Sequence, residues 1–196
     1  MRSTDSLAVG RHSMCDVCDG KTEEQVRREF LARIAQHDYT MVSVREERAR
    51  DRTWVAPGFV YSVGLWTFRR APELIVVGAP VRHAVAAIER YAELTESGRR
   101  FAPGGPYPGI VPGAAVMLEV VAPALYRQWL VSAFDFYPDG GFPVLQLIWP
   151  DSDGAWPWDR RWERHNTPQP ILTETGRPES WSPPRPAGAV RRRATG

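Results

Sequence analysis

The sequence has 196 residues, of which 43% are hydrophobic and 24% are charged. These proportions are ordinary for a globular protein and exclude disorder of the whole chain. The net charge is only +2, which argues against nucleic acid as a partner because no overall basic field would attract it.

Two further properties bear on where the protein acts. No segment approaches the ~20 consecutive apolar residues that cross a bilayer, and residues 1–10 lack the apolar run of a secretory signal. We therefore expect a cytoplasmic protein without a membrane partner, in which cysteines stay reduced unless they bind metal or act in catalysis. Lys21 is the only lysine among 25 lysine and arginine residues, a bias typical of GC-rich bacterial genomes such as those of actinobacteria.

The apolar periodicity predicts the order helix, three strands, helix, strand, helix, strand, over residues 22–37, 39–44, 59–65, 73–77, 80–98, 115–121, 123–130 and 144–149. The first helix starts with a capping box, in which Thr22 and Gln25 satisfy each other's backbone donors. Pro80 suits the first turn of the second helix. Backbone N–H groups in a first turn have no partner within the helix, so proline loses nothing there by lacking one.

Loops and termini complete the organisation of the chain. Residues 46–52 are a charged loop, and residues 101–113, with four prolines and four glycines, predict a long irregular loop. We expect a flexible extension over residues 1–13, one domain over 14–172 and a disordered tail rich in proline and arginine over 173–196.

These elements predict the fold class. The early strands follow one another through short links, which favours antiparallel pairing. The sequence therefore predicts a single-domain α+β protein, with a mixed or mostly antiparallel sheet and about three helices packed on one side of it.

Several segments form a characteristic series along the chain, namely residues 14–20, a helix that ends at His37, and then 61–65, 72–74, 146–151, 156–159 and 169–170. In their order and spacing, these segments together resemble the uncharacterised bacterial family catalogued as domain of unknown function 4262. The resemblance covers residues 14–172. It implies a compact α+β domain and carries no activity with it.

Cys15 and Cys18 have the spacing of half a zinc site. A tetrahedral site needs two more ligands, and His12 and His37 are the nearest histidines in sequence. The same spacing also fits a redox dithiol, and it fits two reduced cysteines near a chain end. Zinc is thus a candidate cofactor, with Cys15 and Cys18 as its ligands, and all three interpretations stay open.

His37 lies where the first helix ends. A protonated imidazole there gains from the helix dipole, so capping explains its position. Alternatively, His37 is a base that activates Cys15 or Cys18 for thiol or acyl chemistry, which would make the protein an enzyme.

A further set of residues suggests a binding site, because polar or aromatic groups stand on apolar strands or in a tryptophan-rich loop. These candidate ligand-binding residues are Tyr61, Glu73, Gln146, Trp149, Trp156, Trp158 and Asp159. The alternative is structural: buried polar tips find partners in the core, and the tryptophans form a lid over it.

Recognised catalytic motifs are missing from the sequence. It has no glycine-rich nucleotide loop, no nucleophile elbow and no His-Glu-x-x-His helix. The sequence therefore favours a non-catalytic module that binds a small molecule or a protein through an aromatic-lined pocket. An enzyme with a Cys/His site and a small structural zinc protein are the alternatives.

Overall fold

The structure is a computed structural model and describes residues 21–50, 54–162 and 168–180. In chain order its elements are α1 (Glu23–His37), β1 (Thr40–Val44), β2 (Glu47–Arg48), β3 (Trp54–Ala56), β4 (Phe59–Val63), α2 (Leu65–Arg69), β5 (Glu73–Val77), α3 (Val81–Glu96), β6 (Gly104–Val111), β7 (Ala114–Val120), a 3-10 turn (Pro123–Leu125), α4 (Tyr126–Trp129), a second 3-10 turn (Val131–Asp135) and β8 (Val144–Ile148). Within these ranges no helix combines the length and the apolar character needed to cross a membrane.

The described strands form a six-stranded sheet in the order β1-β4-β5-β8-β7-β6, and β2 with β3 forms a separate two-stranded arm between β1 and β4. Every pairing in the sheet is antiparallel except that of β5 with β8, which is parallel. The predicted α+β fold with a mixed, mostly antiparallel sheet is therefore confirmed.

Helical segments cover both faces of this sheet. The core of one face contains Val85 and Ile88 from α3, whereas the core of the other contains Phe30 and Ile34 from α1 together with the 121–142 region. The expectation that all helices pack on one side was wrong. All five residues of β5 and all five of β8 are buried, so these central strands need apolar cover on both sides.

The helix boundaries follow the predicted local signals. The Thr22 hydroxyl accepts from Gln25 N at 3.2 Å, and the Gln25 side chain accepts from Thr22 N at 2.8 Å, which confirms the capping box. The helix ends at His37, after which Asp38 turns the chain with a φ of 68°. Pro80 lies one position earlier than expected, because it caps α3 rather than occupying its first turn.

Strand β6 replaces the loop that was predicted over residues 101–113. It is an edge strand that pairs only with β7, and its register shifts twice along that pairing. An edge strand tolerates Pro106 and Pro108 because it has one side on which no backbone donor is required. The charged loop over 46–52 likewise contains a short strand, β2.

Residues 168–180 form a strap against the sheet. Ala122 N donates to Leu172 O at 2.7 Å, and the Leu172 side chain is buried in the core on the α1 side. Thr173, where the disordered tail was predicted to begin, is buried and holds a turn with Arg177. The described part of the predicted tail, residues 173–180, thus belongs to this strap, while residues 1–20 and 181–196 lie outside the described residues.

Candidate functional site

The parallel pairing of β5 and β8 brings two connections to one edge of the sheet. Both strands end there, so residues 78–80 after β5 and residues 149–162 after β8 leave the sheet on the same side. The region outside the carboxyl ends of neighbouring parallel strands is a common place for ligands in proteins. The topology of this edge therefore favours a ligand site.

An open groove of about 350 Å³ lies at this edge. It runs between the base of the β2–β3 arm and the beginning of α3, and its lining residues are Val44, Arg45, Glu46, Gly58, Gly78, Ala79, Pro80 and Val81. The volume lies at the lower end of the range for small-molecule sites, roughly 300–1,000 Å³.

The floor of the groove is main chain. Gly78 N donates to Gly58 O at 2.7 Å, and this bond ties the start of β4 to the end of β5. A Cβ on Gly58 would approach Glu46 N to 3.0 Å and Val44 O to 3.2 Å. A side chain at Gly58 would therefore crowd the base of the arm that forms one wall.

The walls of the groove combine exposed apolar side chains with two charged side chains of opposite sign. Val44 is 37% and Val81 is 45% exposed, so both offer apolar surface to a ligand. Glu46 Oε1 lies 3.0 Å from Arg48 Nε, so these two side chains form an ion pair. Arg45 and Glu46 both line the groove, so its charged side chains contribute one positive and one negative charge.

The tryptophan-rich loop at the same edge is a folded turn. Asp151 Oδ1 accepts from Asp153 N at 3.0 Å and from Ala155 N at 2.8 Å, and Asp159 Oδ2 accepts from Trp156 N at 2.9 Å. These bonds fix the backbone on which the tryptophans stand.

The rings of the loop are half-buried. Trp156 and Trp158 stack with their centroids 5.3 Å apart and their planes 2° apart, and Trp149 packs against the core on the α3 side. The loop therefore presents a rigid aromatic wall beside the end of β8.

A buried carboxylate, Glu73, organises the opposite end of β5. Glu73 Oε1 accepts from Gly64 N at 2.9 Å, from Trp66 N at 3.0 Å and from the Tyr137 hydroxyl at 2.7 Å. Glu73 Oε2 accepts from Ser62 Oγ at 2.5 Å. Because the side chain is fully buried, these donors replace water and join β4, α2, β5 and the segment that carries Tyr137.

Burial dominates the titration of this centre. It raises the pKa of Glu73, and the four hydrogen bonds lower it only in part. Burial also raises the pKa of Tyr137, helped by the neighbouring Glu73 carboxylate. The Ser62 and Glu73 side chains are closed to solvent, so this constellation is suited to support rather than to chemistry on a ligand.

A row of polar side chains crosses the sheet on the α1 side, and Tyr61, Gln146 and Glu119 belong to it through the strand register. The Tyr61 hydroxyl accepts from Ser132 N at 3.2 Å, and burial raises the pKa of Tyr61 to about 12. Glu119, which sequence reasoning missed, accepts from Ser180 N at 3.0 Å. These groups bind the protein's own backbone.

Two glutamines connect the strap to β8 reciprocally. Gln146 Nε2 donates to Pro170 O at 2.7 Å, while Leu172 N donates to Gln146 Oε1 at 2.7 Å. In return, Gln169 accepts from Trp149 N at 3.1 Å and donates to Trp149 O at 3.2 Å. Each side-chain amide thus both donates to and accepts from main-chain groups, as the backbone of a neighbouring strand would.

The family comparison agrees with the resemblance seen in the sequence. The domain of unknown function DUF4262 matches residues 33–163, which is more than half of the chain. The chain belongs to this family. No curated protein and no solved structure matches it. The match starts inside α1 and ends before the strap, so it includes the groove, the tryptophan loop and Glu73.

Within this DUF4262 domain the sequence-predicted site residues do not share one pocket. Tyr61, Glu73 and Gln146 lie on the α1 side of the sheet, whereas Trp149 packs on the α3 side. Trp156, Trp158 and Asp159 stand together in the loop after β8. The groove residue Arg45 carried no signal in the sequence, since it lies between the predicted first strand and the predicted charged loop.

The proposed metal and catalytic residues fall largely outside the described part of the DUF4262 chain. This holds for Cys15, Cys18 and His12, whose predicted roles therefore stay predictions. His37 is exposed at the end of α1. Over residues 21–50, 54–162 and 168–180, no three His, Cys, Asp or Glu side chains form a group that could hold a metal ion.

Proposed function

We propose that this DUF4262 protein is a non-catalytic module that binds a small ligand in the groove at the carboxyl end of β5. The observation that carries the proposal is the groove of about 350 Å³ between the arm and α3. It is concave, and Val44 and Val81 expose apolar surface within it. Concavity with apolar walls and few polar groups is what small-molecule sites share.

The residues of the groove support binding rather than a reaction. Among the eight described residues that line it there is no serine, cysteine or histidine, so they offer no usual nucleophile and no imidazole base. The tryptophan loop leaves the sheet at the same edge, although none of its rings lines the groove. We expect this binding to occur in the cytoplasm.

The experiment is a fragment screen read by methyl NMR. A library of small aromatic and aliphatic fragments should shift the methyl resonances of Val44 and Val81 more than those of other valines. In Val81→Glu the shift of the remaining Val44 methyls should be abolished, because the variant places a charge on the apolar wall. Val131→Glu is the matched control, since Val131 is 65% exposed on the second 3-10 turn.

The outcome separates the groove from other surfaces. Fragment binding that survives Val81→Glu, or that maps away from Val44 and Val81 altogether, would refute the proposal. Loss of binding in both glutamate variants would mean that the added charge, rather than the groove, is responsible.

A further inference from the structure

We propose that the face of the sheet beneath the strap is a binding surface for an extended peptide segment of a partner protein. In the free chain the strap itself, residues 168–180, occupies this surface. The surface lies on the α1 side of the sheet and shares no residue with the groove. Its specificity follows from the side chains that hold the strap.

The first of these side chains is Gln146, which binds the main chain of the strap at two points. Gln146 Nε2 donates to Pro170 O and Gln146 Oε1 accepts from Leu172 N, both at 2.7 Å. Peptides that bind along a sheet gain affinity in the same way, through main-chain groups that almost every sequence offers. Proline fits at position 170 because only its carbonyl is used. This contact therefore accepts segments of other sequence.

Glu119 is the second side chain that holds the strap by its backbone. It lies opposite Gln146 in the pairing of β7 with β8, and its carboxylate accepts from Ser180 N at 3.0 Å and from Glu179 N at 3.3 Å. Both side chains are buried beneath the strap. Water would replace the strap as their partner once it leaves, so uncovering this part of the surface costs less than uncovering a purely apolar one.

The apolar anchor of the strap is Leu172. Its side chain is 3% exposed and is the buried apolar side chain of residues 168–180, where it joins the core on the α1 side. It stands two positions after Pro170, whose carbonyl Gln146 binds. The surface therefore fits an extended segment that carries an aliphatic side chain two positions after the carbonyl bound by Gln146.

The strap is attached to the sheet by few main-chain bonds. Residues 168–180 contain no strand, and within the described residues one backbone–backbone hydrogen bond joins them to the rest of the chain, from Ala122 N to Leu172 O at 2.7 Å. Segments held in this way open locally while the core of the domain stays folded. A partner segment can therefore take the place of the strap without unfolding the sheet.

The opening of the strap is tested by native-state hydrogen exchange of the wild-type chain. The amides of Leu172 and Ser180 should exchange at least about tenfold faster than the protected amides of β5, because they open without the sheet. Equal exchange rates would mean that the strap opens only when the whole domain unfolds, which would overturn the proposal.

The binding surface is tested with a fluorescein-labelled peptide of residues 168–180, added to the full chain and followed by anisotropy. Leu172→Ala in the full chain weakens its own strap. It should bind the peptide at least about tenfold more tightly than the wild type, because the surface is open in a larger fraction of the molecules. Glu174→Ala is the matched control, since this strap residue is exposed, and it should bind like the wild type.

Two further changes locate the bound peptide. Gln146→Leu, added to Leu172→Ala in the full chain, should weaken peptide binding at least about tenfold, because both amide contacts are lost. Leu172→Ala in the peptide should weaken it similarly, because the anchor is lost. If Leu172→Ala does not fold, Gln169→Ala weakens the strap without a core cavity, since it removes only the two hydrogen bonds to Trp149.

Three results would overturn the proposal. The first is that the labelled peptide binds neither weakened chain, and the second is that Gln146→Leu leaves its binding unchanged. The third is that light scattering shows dimers of the wild-type chain that the peptide dissociates, because the occupant is then the strap of a second copy and not a partner protein.

Discussion

Replacing Glu73 by alanine should strongly destabilise the protein. The change removes the acceptors of four donors, which are Ser62 Oγ, Gly64 N, Trp66 N and the Tyr137 hydroxyl. A buried donor without a partner costs about 1–3 kcal/mol. Trp66 and Tyr137 are only partly buried, so water can reach some of these groups, and we expect a total loss of about 3–5 kcal/mol, a large share of the roughly 5–15 kcal/mol available to a domain.

Glu73→Gln separates the hydrogen bonds from the charge. An amide oxygen can still accept from Gly64, Trp66 and Tyr137, and the amide nitrogen can donate to Ser62 Oγ. We therefore expect a loss of no more than about 1 kcal/mol, because the weaker neutral hydrogen bonds are offset by the relief of burying a charge. Urea unfolding measures both variants. Glu93→Ala is the control, because that side chain is 64% exposed and should cost no more than about 0.5 kcal/mol.

The difference in stability between the wild type and Glu73→Gln also reports the titration of Glu73. Burial raises its pKa in the folded state above the ordinary value of 4.5, so just above pH 4.5 the folded protein holds more protons than the unfolded chain. Stability is therefore greatest below this interval and falls as pH rises through it. The advantage of the wild type over Glu73→Gln should shrink with rising pH, because the amide does not titrate.

Two results would refute this reasoning. If the alanine and glutamine variants lose the same free energy, and both lose less than about 1 kcal/mol, the four donors do not depend on the carboxylate. If the advantage of the wild type over Glu73→Gln grows with rising pH, the folded protein lowers the pKa of Glu73 instead of raising it.

Gly64→Ala should cost about 2–4 kcal/mol, because Gly64 has a φ of 120° and a new Cβ would lie 2.8 Å from Tyr39 Cα. Gly98→Ala, with positive φ but no atom within 4 Å, should cost only about 1 kcal/mol; equal shifts in the urea midpoint would contradict the steric argument. Gln146→Leu should cost about 2–3 kcal/mol and speed hydrogen exchange at Leu172 N, whose acceptor it removes. Unchanged protection of that amide would show that the strap does not depend on Gln146.

The parts of the fold that depend on residues close together in the sequence could be predicted from the sequence. Thr22 and Gln25 satisfy each other locally, so the start of α1 follows from four successive residues. Strand β6 could not be predicted in this way. Its prolines and glycines are poor strand formers, and only its position at the edge of the sheet, which is a tertiary property, makes them tolerable.

The candidate site likewise has one part that the sequence predicts and another that only the folded chain determines. Gln146 and Trp149 are three residues apart near the end of β8, so the period of two along a strand already places them on opposite faces. Whether Tyr61 lies beside Gln146 depends on the pairing of both strands with β5, and periodicity carries no information about that. The groove joins residues 44–46, 58 and 78–81, which only the folded chain brings together.

The place of β8 in the sheet has a consequence for synthesis of the chain. β8 lies between β5 and β7, although among the described strands it is the last to leave the ribosome. Until residues 144–148 emerge, the strands β1, β4 and β5 form one unit and the hairpin of β6 and β7 forms another, each with an unpaired apolar border. Premature termination before Val144 would leave both borders open, and such borders are the surfaces through which nascent polypeptides aggregate.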